Sequence, residues 1–171
     1  FGGDFGGVAG ADAICQTIAT ATGNGHKTWR ALLSAGDDGN GNTVHAIDRI
    51  GSGPWHDSNA RVVANNLAGL MGERPDGDPR IIADLHDECG APISARGDAH
   101  DIVTGSDTSG RLSSTNPEAT CMNWTSSNGS VGSGGGGGPM TQTSVMCGHS
   151  FPRAGSGRRG QNWASDHSLR G

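Results

Sequence analysis

Tyrosine is absent and aromatic residues make up only 4% of the chain, so large rings cannot supply most of a core. No apolar run approaches the roughly 20 residues that a membrane-spanning helix needs. Basic residues are in the minority, 12 against 17 acidic ones, for a net charge of -5 and a pI near 5.7. The chain therefore lacks the positive field that draws proteins to nucleic acid or anionic membranes. Its one basic cluster, Arg153, Arg158, Arg159 and Arg170, sits among glycines and serines and reads as a solvated loop. There is no initiator methionine and no charged-then-apolar leader, which predicts a processed chain.

Close cysteine pairs are missing too. Cys15, Cys89, Cys121 and Cys147 are widely spaced, with no Cys-x-x-Cys of the kind zinc ribbons use. Such spacing predicts long-range disulfides and an oxidising, extracellular setting, with buried free thiols as the competing reading. A bridge closing a loop as long as Cys89 to Cys147 is worth about 4 kcal/mol on the chain-entropy model.

What is present is glycine, 31 of 171 residues. That length supports one core, and that much glycine predicts a loop-rich single domain over residues 1–171. Ala11, Ile14, Cys15, Ile18 and Ala19 repeat at three- and four-residue intervals, predicting a first helix from Val8 to Thr22 that ends at Gly23-Asn-Gly25. Val63, Leu67, Leu70 and Met71 fall on one face and predict a second helix over Arg61 to Met71. Short strands are expected at Lys27–Ser34, around Val44–Ile50, and at Arg80–Ala83, Asp101–Thr104, Cys121–Thr125 and Ser144–Cys147. Between these lie loops such as the glycine run 134–138. Two helices followed by short antiparallel strands and long loops give an α+β class.

Chemical motifs are scarce. The seven histidines, His26, His45, His56, His86, His100, His149 and His167, form no His-Glu-x-x-His or His-x-His arrangement. They read as surface or capping residues, and a zinc or catalytic role would need ligands converging from distant segments. No Gly-x-Ser-x-Gly elbow occurs, and the glycine run lacks the lysine of a phosphate loop. The acid pairs Asp37-Asp38 and Asp87-Glu88 read as solvated loop residues rather than a general acid and base.

Calcium is a candidate cofactor, because Asp38, Asn40 and Asn42 space oxygen donors at alternate positions. Arg49, however, stands where an EF-hand would place its glutamate. Trp55, Trp124 and Trp163 are candidates for stacking on a sugar ring, against a structural role in a core poor in aromatics. Asn123-Trp-Thr125 and Asn128-Gly-Ser130 match the glycosylation acceptor pattern.

Several stretches carry a resemblance. Gly7-Val-Ala-Gly-Ala-Asp-Ala-Ile-Cys15, Thr28-Trp-Arg-Ala-Leu-Leu-Ser34, Val103-Thr-Gly-Ser-Asp-Thr-Ser-Gly-Arg111 and Cys121-Met-Asn-Trp-Thr-Ser126 occur in an order that resembles the endostatin-like branch of the C-type-lectin-like fold. Gly53-Pro-Trp-His-Asp57, Val63-Ala-Asn-Asn-Leu67 and Asp87-Glu-Cys-Gly-Ala-Pro92 are similar to segments of secreted bacterial relatives of that branch.

The resemblance implies that Cys15 and Cys121 pair with cysteines nearer the C-terminus, which this sequence does not contain. It also implies that the family's first and last strands are lacking, so that the chain is trimmed or completed by another segment. Cys89 and Cys147 fall outside the family pattern, and the economical pairing joins them as an extra bridge. A Cys15–Cys121 pairing would depart from the family. The family's sugar-binding Glu-Pro-Asn and Gln-Pro-Asp tripeptides do not precede Asn123-Trp124.

The expectation is therefore a secreted, non-catalytic binding or adhesion module that meets a protein or glycan at the cell surface. One alternative is a structural subunit of an extracellular assembly, homo-oligomeric or mixed. A second is a calcium-dependent carbohydrate-binding lectin, and the remotest is a hydrolase with a metal site assembled from distant histidines and acids.

Overall fold

The long N-terminal helix α1 (Gly7–Ala21) begins after Gly6 and Asp4, whose carboxylate accepts the Gly6 N–H. The computed structural model describes residues 3–127, 144–152 and 162–170. The glycine run 134–138, Asn128-Gly-Ser130 and the arginines at 153, 158 and 159 lie outside them. Val8, Ala11 and Ala19 are the buried residues of α1 and Cys15 is half-buried on the same face, whereas Ile14 and Ile18 are 46% and 41% exposed. The expected stripe is thus turned: residues 8, 11, 15 and 19 stack along one side and the two isoleucines lie on its flank.

After α1 the chain lies beside the helix without forming the strand expected at Lys27–Ser34. The Trp29 and Ala31 N–H groups donate to the side chains of Gln16 and Asp12 on α1, so no ladder is left for a neighbouring strand. Arg49 secures this arrangement by pairing with Asp12 and donating to the Ala31 carbonyl. The strand expected around Val44–Ile50 is reduced to an Ala35–Val44 bridge and a 3-10 turn at Ala46–Asp48.

The expected second helix is divided. Its first residues form β2 (Val62–Ala64), antiparallel to β1 (Trp55–His56), and only Leu67–Leu70 is helical (α2), capped by Asn66. Proline at the first turn and the Asp78 cap make Pro79–Ile82 a short helix (α3), not the expected strand.

A three-stranded antiparallel sheet in the order β3-β4-β5 joins Asp101–Val103 (β3), Ser144–His149 (β4) and His167–Arg170 (β5). Strands were expected at both β3 and β4. Cys121–Trp124 (α4) is a helical turn, not a strand, and Cys121, Met122, Asn123 and Trp124 all have φ between 50° and 66°. Left-handed backbone costs about 1–2 kcal/mol per non-glycine residue, so tertiary contacts must offset it. Asn123 Oδ1 accepts the N–H groups of Gly36 and Asp37, and the Trp124 carbonyl accepts from Phe5.

Two small cores result, each around a tryptophan. Trp124 packs with Val8, Ala11, Leu33, Ala35 and Val145, and Trp163 packs with Ala64, Leu70 and Ala164. Their indole N–H groups donate to the carbonyls of Ser34 (2.8 Å) and Leu70 (2.5 Å). This α+β arrangement of four helices and two small antiparallel sheets among the described residues matches the expected class, with more and shorter helices.

Candidate functional site

Alternation along a strand puts residues two apart on one face. On β4 those residues are Val145, Cys147 and His149, all buried. The register places Asp101 of β3 opposite His149, Val103 opposite Cys147, His167 of β5 opposite Cys147 and Leu169 opposite Val145. One end of this face is therefore apolar and the other carries histidines and acids. Gly148, between Cys147 and His149, turns to the opposite face, where a Cβ would run into the Trp163 carbonyl oxygen.

At that polar end the Nε2 atoms of His100, His149 and His167 lie 3.3, 3.4 and 3.4 Å from Asp101 Oδ1. His149 Nε2 is 3.1 Å from His167 Nδ1. Asp166 Oδ2 lies 3.8 Å from His149 Nε2 and 3.5 Å from His167 Nδ1. His100 Nδ1 is 2.7 Å from Asp98 Oδ1, a hydrogen bond that orients the ring with its Nε2 toward the cluster.

The rings of His100 and His149 meet edge to face at 4.6 Å, as do those of His149 and His167 at 4.9 Å. Two three-residue sets have donor atoms within 4.8 Å of one another: His100, Asp101 and His149, and His149, Asp166 and His167. His100 and His149 are buried, while Asp101 is the most exposed member, its side chain 31% accessible. Arg74 braces the end of β4 by donating to the backbone carbonyls of His149 and Ser150 and, across the gap, to that of Ile82. Burial draws its guanidinium down to about 10, partly opposed by Asp84.

The sequence reading treated all seven histidines alike, and the structure separates them. His100 and His149 are buried within the cluster and His167 completes it. His86 contacts Arg61 and lies near Asp57, His45 Nδ1 accepts from Leu112 N–H, and His26 and His56 are exposed. The cluster was invisible as a motif because its members stand on, or next to the start of, three separate strands.

A second arrangement was also missed. Asp38, Asp57, Asp87 and Asp107 each begin a five-residue turn in which one carboxylate oxygen accepts the backbone N–H groups two and four residues on. The bonds run from Asn40 and Asn42, Asn59 and Arg61, Cys89 and Ala91, and Ser109 and Arg111. In every copy the aspartate N–H donates to the carbonyl four residues on. The fourth position takes positive φ, at Gly41, Ala60, Gly90 and Gly110. An aspartate followed three residues later by glycine or alanine was the available signal.

These bonds redefine the calcium candidate. Asp38 accepts from Asn40, Asn42 and the Asn42 amide, and these bonds hold its carboxyl below the usual range. Asp38, Asn40 and Asn42 therefore form one copy of the turn, with the acid already engaged by its own loop. Asp87 likewise accepts the N–H groups of Cys89 and Ala91 and pairs with Arg96, and these bonds, Arg96 first, hold its carboxyl below the usual range.

Trp124 and Trp163 are buried with their N–H groups on carbonyls, so neither offers a ring face to a ligand. Trp55 is partly buried against the second core, and it is Trp29, not singled out from sequence, that is exposed. The cysteines are free in the structure. Cys89 is exposed in a loop and Cys147 lies inside the sheet, so the expected Cys89–Cys147 bridge is not formed, and Cys15 and Cys121 are unbridged and half-buried. Desolvation first, with Asp101 nearby, pushes the Cys147 thiol up to about 12. No family model and no curated protein matches the chain.

Proposed function

We propose that this chain is a secreted, non-catalytic binding or adhesion module on a C-type-lectin-like, endostatin-like scaffold, meeting a protein or glycan partner through its loops. The observation that carries the reading is the fourfold use of one aspartate-anchored turn. Polar loops of this length ordinarily lose entropy when they bind, and loops already held by their own hydrogen bonds avoid much of that cost. The fold class and the residue resemblances support the scaffold. The calcium-lectin alternative loses support because Asp38 is committed to its turn.

The test is saturable binding of the full chain to arrays of extracellular proteins and glycans, repeated with Asp107→Ala, which releases one turn. Binding weakened about tenfold by that change fits the reading. Absence of saturable binding, or turnover of the captured ligand, would overturn it.

A second reading, a subunit of an extracellular assembly, is favoured by the exposure of Ile14, Ile18 and Trp29 along and beside α1. Sedimentation over a hundredfold range of concentration tests it, with self-association expected and a monomer throughout counting against it.

A further inference from the structure

We propose that the polar end of the three-stranded sheet binds one divalent transition-metal ion, zinc being the best match, through His149 together with His100 and Asp101. Asp166 and His167 form an overlapping set on the other side of His149.

The contacts with Asp101 have the spacing of a ligand set, and the 3.1 Å hydrogen bond between His149 Nε2 and His167 Nδ1 is the one that a bound ion would replace. Nitrogen-to-oxygen hydrogen bonds fall at about 2.7–3.2 Å, as the His100–Asp98 contact does at 2.7 Å. The contacts of the three imidazoles with Asp101 Oδ1 are longer, 3.3–3.4 Å. A tetrahedral ion with bonds of about 2.0–2.1 Å has edges of roughly 3.3 Å between its donors. The spacing of His100 Nε2 and His149 Nε2 from Asp101 thus suits two edges of such a polyhedron.

The donor chemistry selects the ion. Imidazole nitrogens with one carboxylate suit zinc, copper or nickel, whereas calcium takes six to eight oxygens. The surrounding structure also has the form of a metal site. Asp98 holds the far nitrogen of His100, the orienting partner that metal-bound histidines ordinarily have. Arg74 fixes the backbone carbonyl of His149 at 2.5 Å, so the hub of the cluster stands on a braced strand end.

His149 belongs to both three-residue sets. An imidazole nitrogen has one lone pair to give, so the two sets cannot fill independently and the chain takes one ion. Loss of a wing leaves the other set, and loss of the hub leaves neither. Nothing in this inference depends on the lectin-like reading, and zinc binding is measured separately from partner binding.

The experiment is calorimetric titration of the full chain, freed of metal by chelator, with zinc chloride and in parallel with calcium chloride. One zinc per chain is expected, with no calcium heat at the same concentrations. His149→Ala should lower zinc affinity more than 100-fold. His100→Ala should lower it about 10- to 100-fold and Asp98→Asn, an orienting change, about tenfold, while His167→Ala, outside the set that holds the ion, should change it less than either.

His26→Ala should leave it unchanged. The wild-type imidazole spectrum needs no variant, and in it zinc should shift His100 and His149 while His26 and His56 stay in place. No zinc heat, calcium heat without zinc heat, affinity unchanged in His149→Ala, or shifts confined to His26 and His56 would each overturn the proposal.

Discussion

The two ends of one sheet face obey different rules. At the Val145 end, β4 meets Leu169 across the pair and packs into the core around Trp124. Apolar burial holds that end, and its contribution grows with the area removed from water. Four residues along the same strand, His149 is equally buried but faces Asp101, His100 and His167. Burying polar groups is costly unless they find partners. A strand that spends its last core position on histidine therefore places specific chemistry where hydrophobic residues would give more stability. Functional sites depart from local consistency in this way, and the contrast singles out the polar end.

The largest effect should come from the apolar end. Trp124→Ala removes a fully buried indole and the donor to the Ser34 carbonyl, and it should cost about 3–5 kcal/mol, read as a lower denaturation midpoint in urea. If that loss were under 1 kcal/mol, the apolar end would not be the stable half. The next effect tests the loops. Asp57 is almost wholly buried and takes two backbone N–H groups as well as two bonds from Arg61. Asp57→Ala leaves those donors and the guanidinium without their acceptor, and should cost about 3 kcal/mol by the same measurement.

The same turns set a pH dependence. Burial alone would raise Asp57 and Asp107, but hydrogen bonds from Arg61 and Asn59, and from Ser109 and Arg111, outweigh it and hold both carboxyls below their ordinary range. Asp78, beside Arg80, is held at about 2. Folded carboxylates of this kind bind protons less readily than unfolded ones. Their contribution is present above about pH 4 and is lost as the pH falls through their folded values. Stability should fall between about pH 4 and pH 2, and Asp57→Asn should flatten that slope. An unchanged slope would remove the turns from the account.

Much of the sheet was legible in the sequence and most of its polar end was not. Asp101–Thr104 and Ser144–Cys147 announced themselves by short apolar runs, and α1 by its helical period. Where local signals failed, side chains had taken over the backbone's partners. Asp12 and Gln16 took the N–H groups that a strand at Trp29–Ala31 needed. At Cys121–Trp124, contacts from Phe5, Gly36 and Asp37 sustain a left-handed turn that no propensity would suggest. The histidine cluster was unreadable for another reason. His100, His149 and His167 become neighbours only through the β3-β4-β5 register, and register depends on pairings far apart in sequence.

Two smaller effects sharpen the comparison. The unfolded chain should yield four thiols to a disulfide reagent. In the folded chain exposed Cys89 should react first and Cys147, buried with its thiol pushed up to about 12, should react last. Two missing thiols would restore the bridge expected from sequence. Met122 is 48% exposed at φ 55°, so Met122→Gly relieves backbone strain without emptying a core and should raise stability by about 1 kcal/mol.

The most direct test of the divided sheet face is the amide nitrogen–proton correlation spectrum of the full chain as zinc is added stepwise. The account predicts shifts at Asp98–Asp101, Gly148–Ser150 and Asp166–His167 that saturate at one equivalent, with Val145, Leu169 and Trp124 unmoved. Shifts spread evenly over both ends, or a spectrum that zinc leaves unchanged, would contradict it.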